Sequence, residues 1–276
     1  MFIMIFTHQY PDLDAVACVW FCLRFFNEQP VVFKPAFWDG VGAGDKDWVV
    51  DMDCGYKGER DADGVVHACF TGLVERYATA EDKKALAGMT HYIDLQDSQG
   101  DVYRALGIKN KNSIEVLSQT DLLAIFRALQ TVADNDAFLL QQCLPLFDAL
   151  LAQGRNRQQA QQEASDSEWV GEVAIKRNAK SFNTMDVLFS QGAKAVVYRD
   201  GFNIGVVRAQ NVSMRMDAES IKQLVAGEAG WFFHPAGFMC CRGGRKAPMT
   251  EGSCISPLQL ATVVNDLLFQ NTEIQK

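Results

Sequence analysis

A chain of 276 residues, 48% of them hydrophobic, is long enough to bury one large core or two ordinary ones. Its formal charge of −8, from 34 acidic and 26 basic residues, excludes an overall counterion-release attraction to nucleic acid. A polyanionic substrate would therefore need a local basic patch or a metal ion. No stretch approaches the roughly 20 apolar residues of a membrane helix, and the opening run MFIMIF is too short, and lacks the basic flank, for a secretion signal. The eight cysteines lie mostly in apolar segments without CxxC spacing, which suits free thiols in a reducing cytoplasm rather than a zinc knuckle or disulfide framework.

In chain order, residues 2–7 read as a buried strand and 13–27 as an apolar helix stopped by Asn27 and Pro30. The runs VVFKPAF and DWVVDMD read as strands. Helices follow at 68–78, at 81–97 and in DLLAIFRALQTVA. Strands alternating with helices predict an α/β domain with a mainly parallel sheet. Residues 135–165 begin apolar and end as a Gln-rich helix that is polar all round, as a connector would be. After it EVAIKRN, AKAVVYRD and FNIGVVRA read as strands, 213–227 as a helix, WFFHPAGFMCC as an interrupted strand and 257–269 as a closing helix. The expected organisation is a domain over 1–135, a connector over 136–167 and a smaller α/β domain over 168–276, with a cleft between the two domains.

Three clusters carry the chemistry. THQYPDLDAV places His8, Asp12 and Asp14 directly after the first strand. Asp12 could simply cap the next helix, and Asp14 suits the positive end of its dipole. WVVDMDCG then puts Asp51 and Asp53 at the end of an apolar strand, where i and i+2 share a face and where open α/β sheets form their ligand crevice. Two carboxylates there repel unless a cation compensates. In THYIDLQDSQGD, His91, Asp94 and Asp97 recur at helical spacing, which a solvated helix face would also explain. Hard oxygen donors with some imidazole suit Mn²⁺ or Mg²⁺, and two such ions roughly 3.5–4 Å apart would clamp a phosphoryl group.

THQYPDLDAVACVWF resembles the opening motif of the DHH phosphoesterase superfamily, VVDMDCGY its second motif and IDLQDSQG its fourth, with Asp97 the better match. WFFHPAGFMCCRGGR resembles the substrate-binding segment of the domain that accompanies it, closest in wording to a nuclease-like branch. The resemblance is ordered along the whole chain. The first motif is fairly specific and the others are short. One departure stands out. Asp61-Ala62-Asp63 occupies the place of the Asp-His-His motif, and Ala62 can ligate nothing. His67 is the one histidine near that gap. The chain's four histidines, His8, His67, His91 and His234, each lie in or beside one of these segments.

The resemblance implies a hydrolase acting on a nucleotide or short nucleic-acid phosphodiester. Mn²⁺ (or Mg²⁺) would be held by His8, Asp12, Asp14, Asp51 and Asp97, with Asp53 and His67 as catalytic candidates. His91, His234, Gly237, Gly243, Gly244 and Arg245 would contact substrate, with Arg242 and Lys246 adding positive charge. A second copy of the chain is a further candidate partner. The altered Asp-His-His stretch keeps a rival open, a nucleotide-binding or interaction module of the same fold without turnover.

Overall fold

The computed structural model describes residues 3–26, 29–58, 62, 66–178, 180–181, 183–244 and 246–274. It is an α/β protein whose chain divides into two units, Met1–Arg155 and Asn156–Lys276. The division falls inside one long helix.

The first unit opens with β1 (Ile5–His8), α1 (Leu13–Phe25), β2 (Val31–Lys34) and β3 (Trp48–Val49). The three strands form a fully parallel sheet in the order β2-β1-β3. Residues 13–22 of α1 are buried without exception, so this part of the helix is packed from every side, with Asp14 its one buried charged residue. Trp20 and Phe21 are fully enclosed, each contributing about 1.5–3 kcal/mol of burial energy. The Trp20 indole N–H finds Asp148 Oδ1 at 3.1 Å. Helices α2 (Cys69–Tyr77), α3 (Ala80–Gln99), α4 (Val102–Ala105), α5 (Lys111–Thr120), α6 (Leu122–Val132) and the start of α7 (Asp136–Ser165) complete the unit. Gly154 of α7 lies against α3, where a Cβ would stand 1.8 Å from the Ala85 carbonyl oxygen.

The second unit carries β4 (Glu168–Val170), β5 (Val173–Arg177), α8 (Thr184–Ser190), β6 (Ala195–Asp200), β7 (Asn203–Arg208), α9 (Glu219–Val225), β8 (Trp231–Phe233), β9 (Met239–Arg242) and α10 (Pro257–Ile274). Its six-stranded sheet runs β4-β5-β6-β7-β9-β8, with only β5 and β6 parallel. The helix expected over 213–227 is confined to Glu219–Val225. Before it, Met214 and Met216 are buried and the Met216 N–H donates to the Gly237 carbonyl at 2.7 Å, so that stretch is an irregular segment tied to the β8–β9 turn. The interrupted strand is a hairpin, β8 and β9 joined across 234–238. Three short helices, α4, α5 and α8, and the edge strand β4 were not expected from the sequence.

Candidate metal centre

The parallel register builds the site. Phe6 of β1 is paired with Val49 of β3, so His8 and Asp51, each two residues further on, emerge together at the C-terminal edge of the sheet. His8 Nε2 lies 3.1 Å from Asp51 Oδ2, and its Nδ1 lies 2.9 Å from the Gln9 carbonyl. Asp12 arrives from the loop after β1. It caps α1, accepting from the Ala15 N–H at 2.9 Å. Donor atoms of His8, Asp12 and Asp51 all lie within 4.8 Å of one another.

The electrostatics are those of crowded carboxylates. The hydrogen bond to Asp51 raises the His8 pKa from 6.5 to about 9 against the opposing effect of burial. Desolvation, then the Asp51 charge, raise Asp12. Desolvation followed by Asp12 and Asp51 raises Asp97. Asp51 itself is held at a φ of 52°, a left-handed conformation that Asp tolerates better than most residues but that still stores strain.

Asp14 has a different occupation. It is 4% exposed and accepts from the backbone N–H groups of Cys69 at 2.8 Å and Phe70 at 2.9 Å. These are orphan donors at the start of α2, whose own cap residue, Ala68, makes no side-chain cap bond. Burial, then the Asp51 charge, push Asp14 well above the usual carboxylate range. The thiols of Cys18 and Cys69 lie within 4.8 Å of Asp14 in a second, fully buried group. Desolvation pushes the Cys18 thiol up, as in a packing cysteine rather than a reactive one.

The other expected positions are distributed as follows. Asp53 does not share a strand face with Asp51, because β3 ends at Val49 and the left-handed Asp51 turns the chain. Asp53 is instead exposed and paired with Lys57. The turn is tight: the Tyr56 N–H returns to the Val49 carbonyl at 2.7 Å, and a Cβ on Gly55 would meet that oxygen at 2.3 Å. His67 stands before α2 with Nδ1 3.0 Å from Asp94 Oδ2, while Asp94 Oδ1 accepts from the Ala68 N–H at 2.8 Å. Neither His67 nor Asp97 joins the His8–Asp12–Asp51 group. Asp97 faces a cavity of about 260 Å³ that Asp12 and Asp14 also line. His91 is on the exposed side of α3. Ala62 is exposed, and Asp61 and Asp63 lie outside the described residues.

In the second unit, His234 opens the β8–β9 turn. Its Nδ1 accepts from the Ala236 N–H at 3.1 Å, its ring lies 4.1 Å from that of Phe238, and its carbonyl accepts from the Gly237 N–H at 2.7 Å. Gly237 and Gly243 have φ of 70° and 78°, and a Cβ at either would strike Arg215 or Asn203. Gly244 pairs with Ala247. Arg242 does not supply a free charge: it is 8% exposed and donates to the Ala229 and Glu251 carbonyls at 3.0 and 2.8 Å. Lys246 is exposed, and Arg245 lies outside the described residues.

The sequence marks α6 as a helix but gives it no place in the site, whereas it supplies Leu123, Phe126, Arg127 and Gln130 to the cavity beside Asp12. The signal available was its apolar stripe interrupted by Arg127 and Gln130.

No protein-family model matches the chain, and no curated protein matches it. Among solved structures it is similar to a pGpG-specific phosphodiesterase, PggH, from Vibrio cholerae, at 12% identity over 98% of each chain with a TM-score of 0.28. It is similar to RecJ from Thermus thermophilus in complex with Mg²⁺, at 11% identity and a TM-score of 0.31, covering 98% of this chain and 50% of RecJ. An uncharacterized protein from Helicobacter pylori overlaps at 9% identity and a TM-score of 0.26, over 95% of this chain and 99% of its own. At this level of similarity, any assignment of chemistry rests on the residues of this chain.

Proposed function

We propose that the first unit is a divalent-metal-dependent phosphoesterase centre of the DHH type, acting on a nucleotide or short nucleic-acid phosphodiester. The observation that carries this reading is the group formed by His8, Asp12 and Asp51, one imidazole and two carboxylates whose donor atoms lie within 4.8 Å of one another. The donor set fits Mn²⁺ or Mg²⁺ better than a soft metal. The raised carboxyls of Asp12 and Asp97 also fit, because crowded anions are relieved by a cation. Bound there, the ion would supply Lewis acidity and charge neutralisation at a phosphoryl group.

The chain's own residues do the rest. Asp51 fixes the His8 ring through Nε2, and His8 would hold the ion only in its neutral form, so the proton retained by the Asp51 bond would have to be released first. Asp12 is oriented by its cap bond to Ala15. Asp97 stands in the adjoining cavity, where a carboxylate can accept a proton from water or ligate a second, weaker ion. Asp14 holds the start of α2 in place. That structural commitment, together with Ala62 in the Asp-His-His position, favours one well-formed ion site over two. It is also the observation favouring the rival, a module that binds a nucleotide without turning it over.

Hydrolysis of bis(p-nitrophenyl) phosphate with Mn²⁺ tests the proposal. The wild type should turn over and show a Mn²⁺-dependent rise in Tm, because the ion binds only the native state. His8→Ala and Asp51→Asn should lose both. A Tm rise without turnover would select the binding module, and equal Mn²⁺ responses in wild type and Asp51→Asn would remove the metal centre altogether.

A further inference from the structure

The loop between His8 and Asp12 is held in a conformation that its own residues disfavour. Tyr10 has a φ of 52°. A bulky side chain at positive φ is an outlier, and Pro11 follows, which biases its predecessor towards extended backbone with negative φ. Such a residue persists only where its surroundings over-determine it. The Tyr10 side chain supplies no such restraint, because the residue is 87% exposed. The restraint comes from the backbone. The Gln9 N–H donates to the Lys34 carbonyl at 2.7 Å. Pro11 is buried, and its carbonyl accepts from Gln130 Nε2 at 3.2 Å. Between them, the Tyr10 N–H donates to both carboxylate oxygens of Asp136, each at 3.3 Å.

Asp136 is the first residue of α7, but the helix start does not depend on its carboxylate. Asn135 fills that role: its side chain accepts from the Phe138 N–H at 2.9 Å and its carbonyl from the Leu139 N–H at 3.0 Å. The Asp136 carboxylate instead reaches a backbone N–H 126 residues away in the chain. An extended chain would set residue 12 roughly 13 Å beyond residue 8. Here donor atoms of His8 and Asp12 approach within 4.8 Å.

We propose that Asp136 is a positioning residue for the His8–Asp12–Asp51 group: by holding the Tyr10 N–H it keeps the loop in the left-handed bend that returns Asp12 to His8 and Asp51. Without this carboxylate, the bend competes with the extended forms that a residue before proline prefers. The donor group is then assembled in only a fraction of the molecules, and apparent metal affinity falls by that fraction. The consequence for metal rests on the phosphoesterase reading. The restraint on the loop does not.

Amide hydrogen exchange in EDTA and calorimetric titration with Mn²⁺ read the two halves separately. The Tyr10 N–H should be protected in wild type and in Asp136→Asn, which keeps an acceptor oxygen, and should exchange about tenfold faster in Asp136→Ala. The Kd for Mn²⁺ should rise about tenfold in Asp136→Ala, as for an assembled fraction of about one tenth, and should stay within about twofold of wild type in Asp136→Asn. Adding Tyr10→Gly to Asp136→Ala should recover most of the affinity, because glycine adopts positive φ without steric penalty. A merely structural loss would not be repaired by a glycine in a loop. Equal Tyr10 exchange in wild type and Asp136→Ala overturns the restraint. Unchanged Mn²⁺ affinity in Asp136→Ala, or a loss that Tyr10→Gly does not recover, overturns the positioning role and leaves the metal reading standing. A wild type that binds no Mn²⁺, with the exchange difference intact, overturns the metal reading and the positioning role with it.

Discussion

At the scale of single residues, the carboxylates of the first motif have different jobs despite their spacing. Treated only as a charge among like charges, Asp14 would leave metal-free stability unchanged or raised when neutralised. Its two bonds to the start of α2 predict the reverse. Asp14→Ala leaves two buried N–H groups without acceptors and should cost about 2–6 kcal/mol in urea unfolding, at roughly 1–3 for each donor. Asp14→Asn keeps one acceptor and should cost about half of that. A variant as stable as wild type would mean that α2 does not need the cap. His8 makes the complementary case. Its pKa near 9 is attributed chiefly to the Asp51 hydrogen bond. Proton titration followed by NMR in the metal-free protein should therefore find His8 well above an ordinary histidine, and Asp51→Asn should return it towards about 6.5.

At the scale of elements, the site depends on how closely helices and turns approach. The Gly154 contact with the Ala85 carbonyl lets α7 lie directly on α3, the helix that carries Asp94 and Asp97. Gly154→Ala adds a methyl where no space exists. In an open helix the same change stabilises by about 0.5–1 kcal/mol. Here overpacking dominates, and the variant should lose about 1–3 kcal/mol in chemical denaturation. A gain in stability would show that the two helices are not in contact there. The sequence placed α1, α2, α3 and α6 within a few residues of their ends. Helices α4 and α5 were not read from the sequence: α4 is a single turn, and α5 buries none of its residues.

At the scale of the molecule, the titrating groups around His8 make stability depend on pH and, on the proposed reading, on metal. A raised histidine contributes stability that is fully present below about pH 6.5, its ordinary value, and is lost as pH rises through about 9. The raised carboxyls of Asp12, Asp14 and Asp97 act in the same direction at lower pH, since charging them in the folded state becomes costly above their ordinary value of 3.8. Tm measured in EDTA should therefore fall between about pH 6.5 and about 9, and Asp51→Asn should flatten that slope. Mn²⁺ should stabilise more at about pH 8 than at about pH 6, because His8 must lose its proton to bind. A metal-free Tm that climbs across the same interval would contradict the His8–Asp51 pairing.

The sequence by itself determined the fold class and the main elements, because a period of about 2 or 3.6 in the apolar residues is a local property that survives in one dimension. It also singled out His8, Asp12, Asp51 and Asp97, since carboxylates at strand ends and helix starts have few other uses together. Only the tertiary structure decided how those residues divide. Asp14 faces the start of a helix 55 residues away and Cys18 follows it into the core. Asp53 is turned out to Lys57 by one left-handed residue, Arg242 is absorbed by backbone carbonyls, and His67 is held by Asp94. Each of these outcomes depends on a partner brought near by packing, and distance along the chain carries no record of it. The α6 wall of the cavity is the plainest instance, because Arg127 reaches the neighbourhood of Asp12 only once α1, α3 and α6 are assembled.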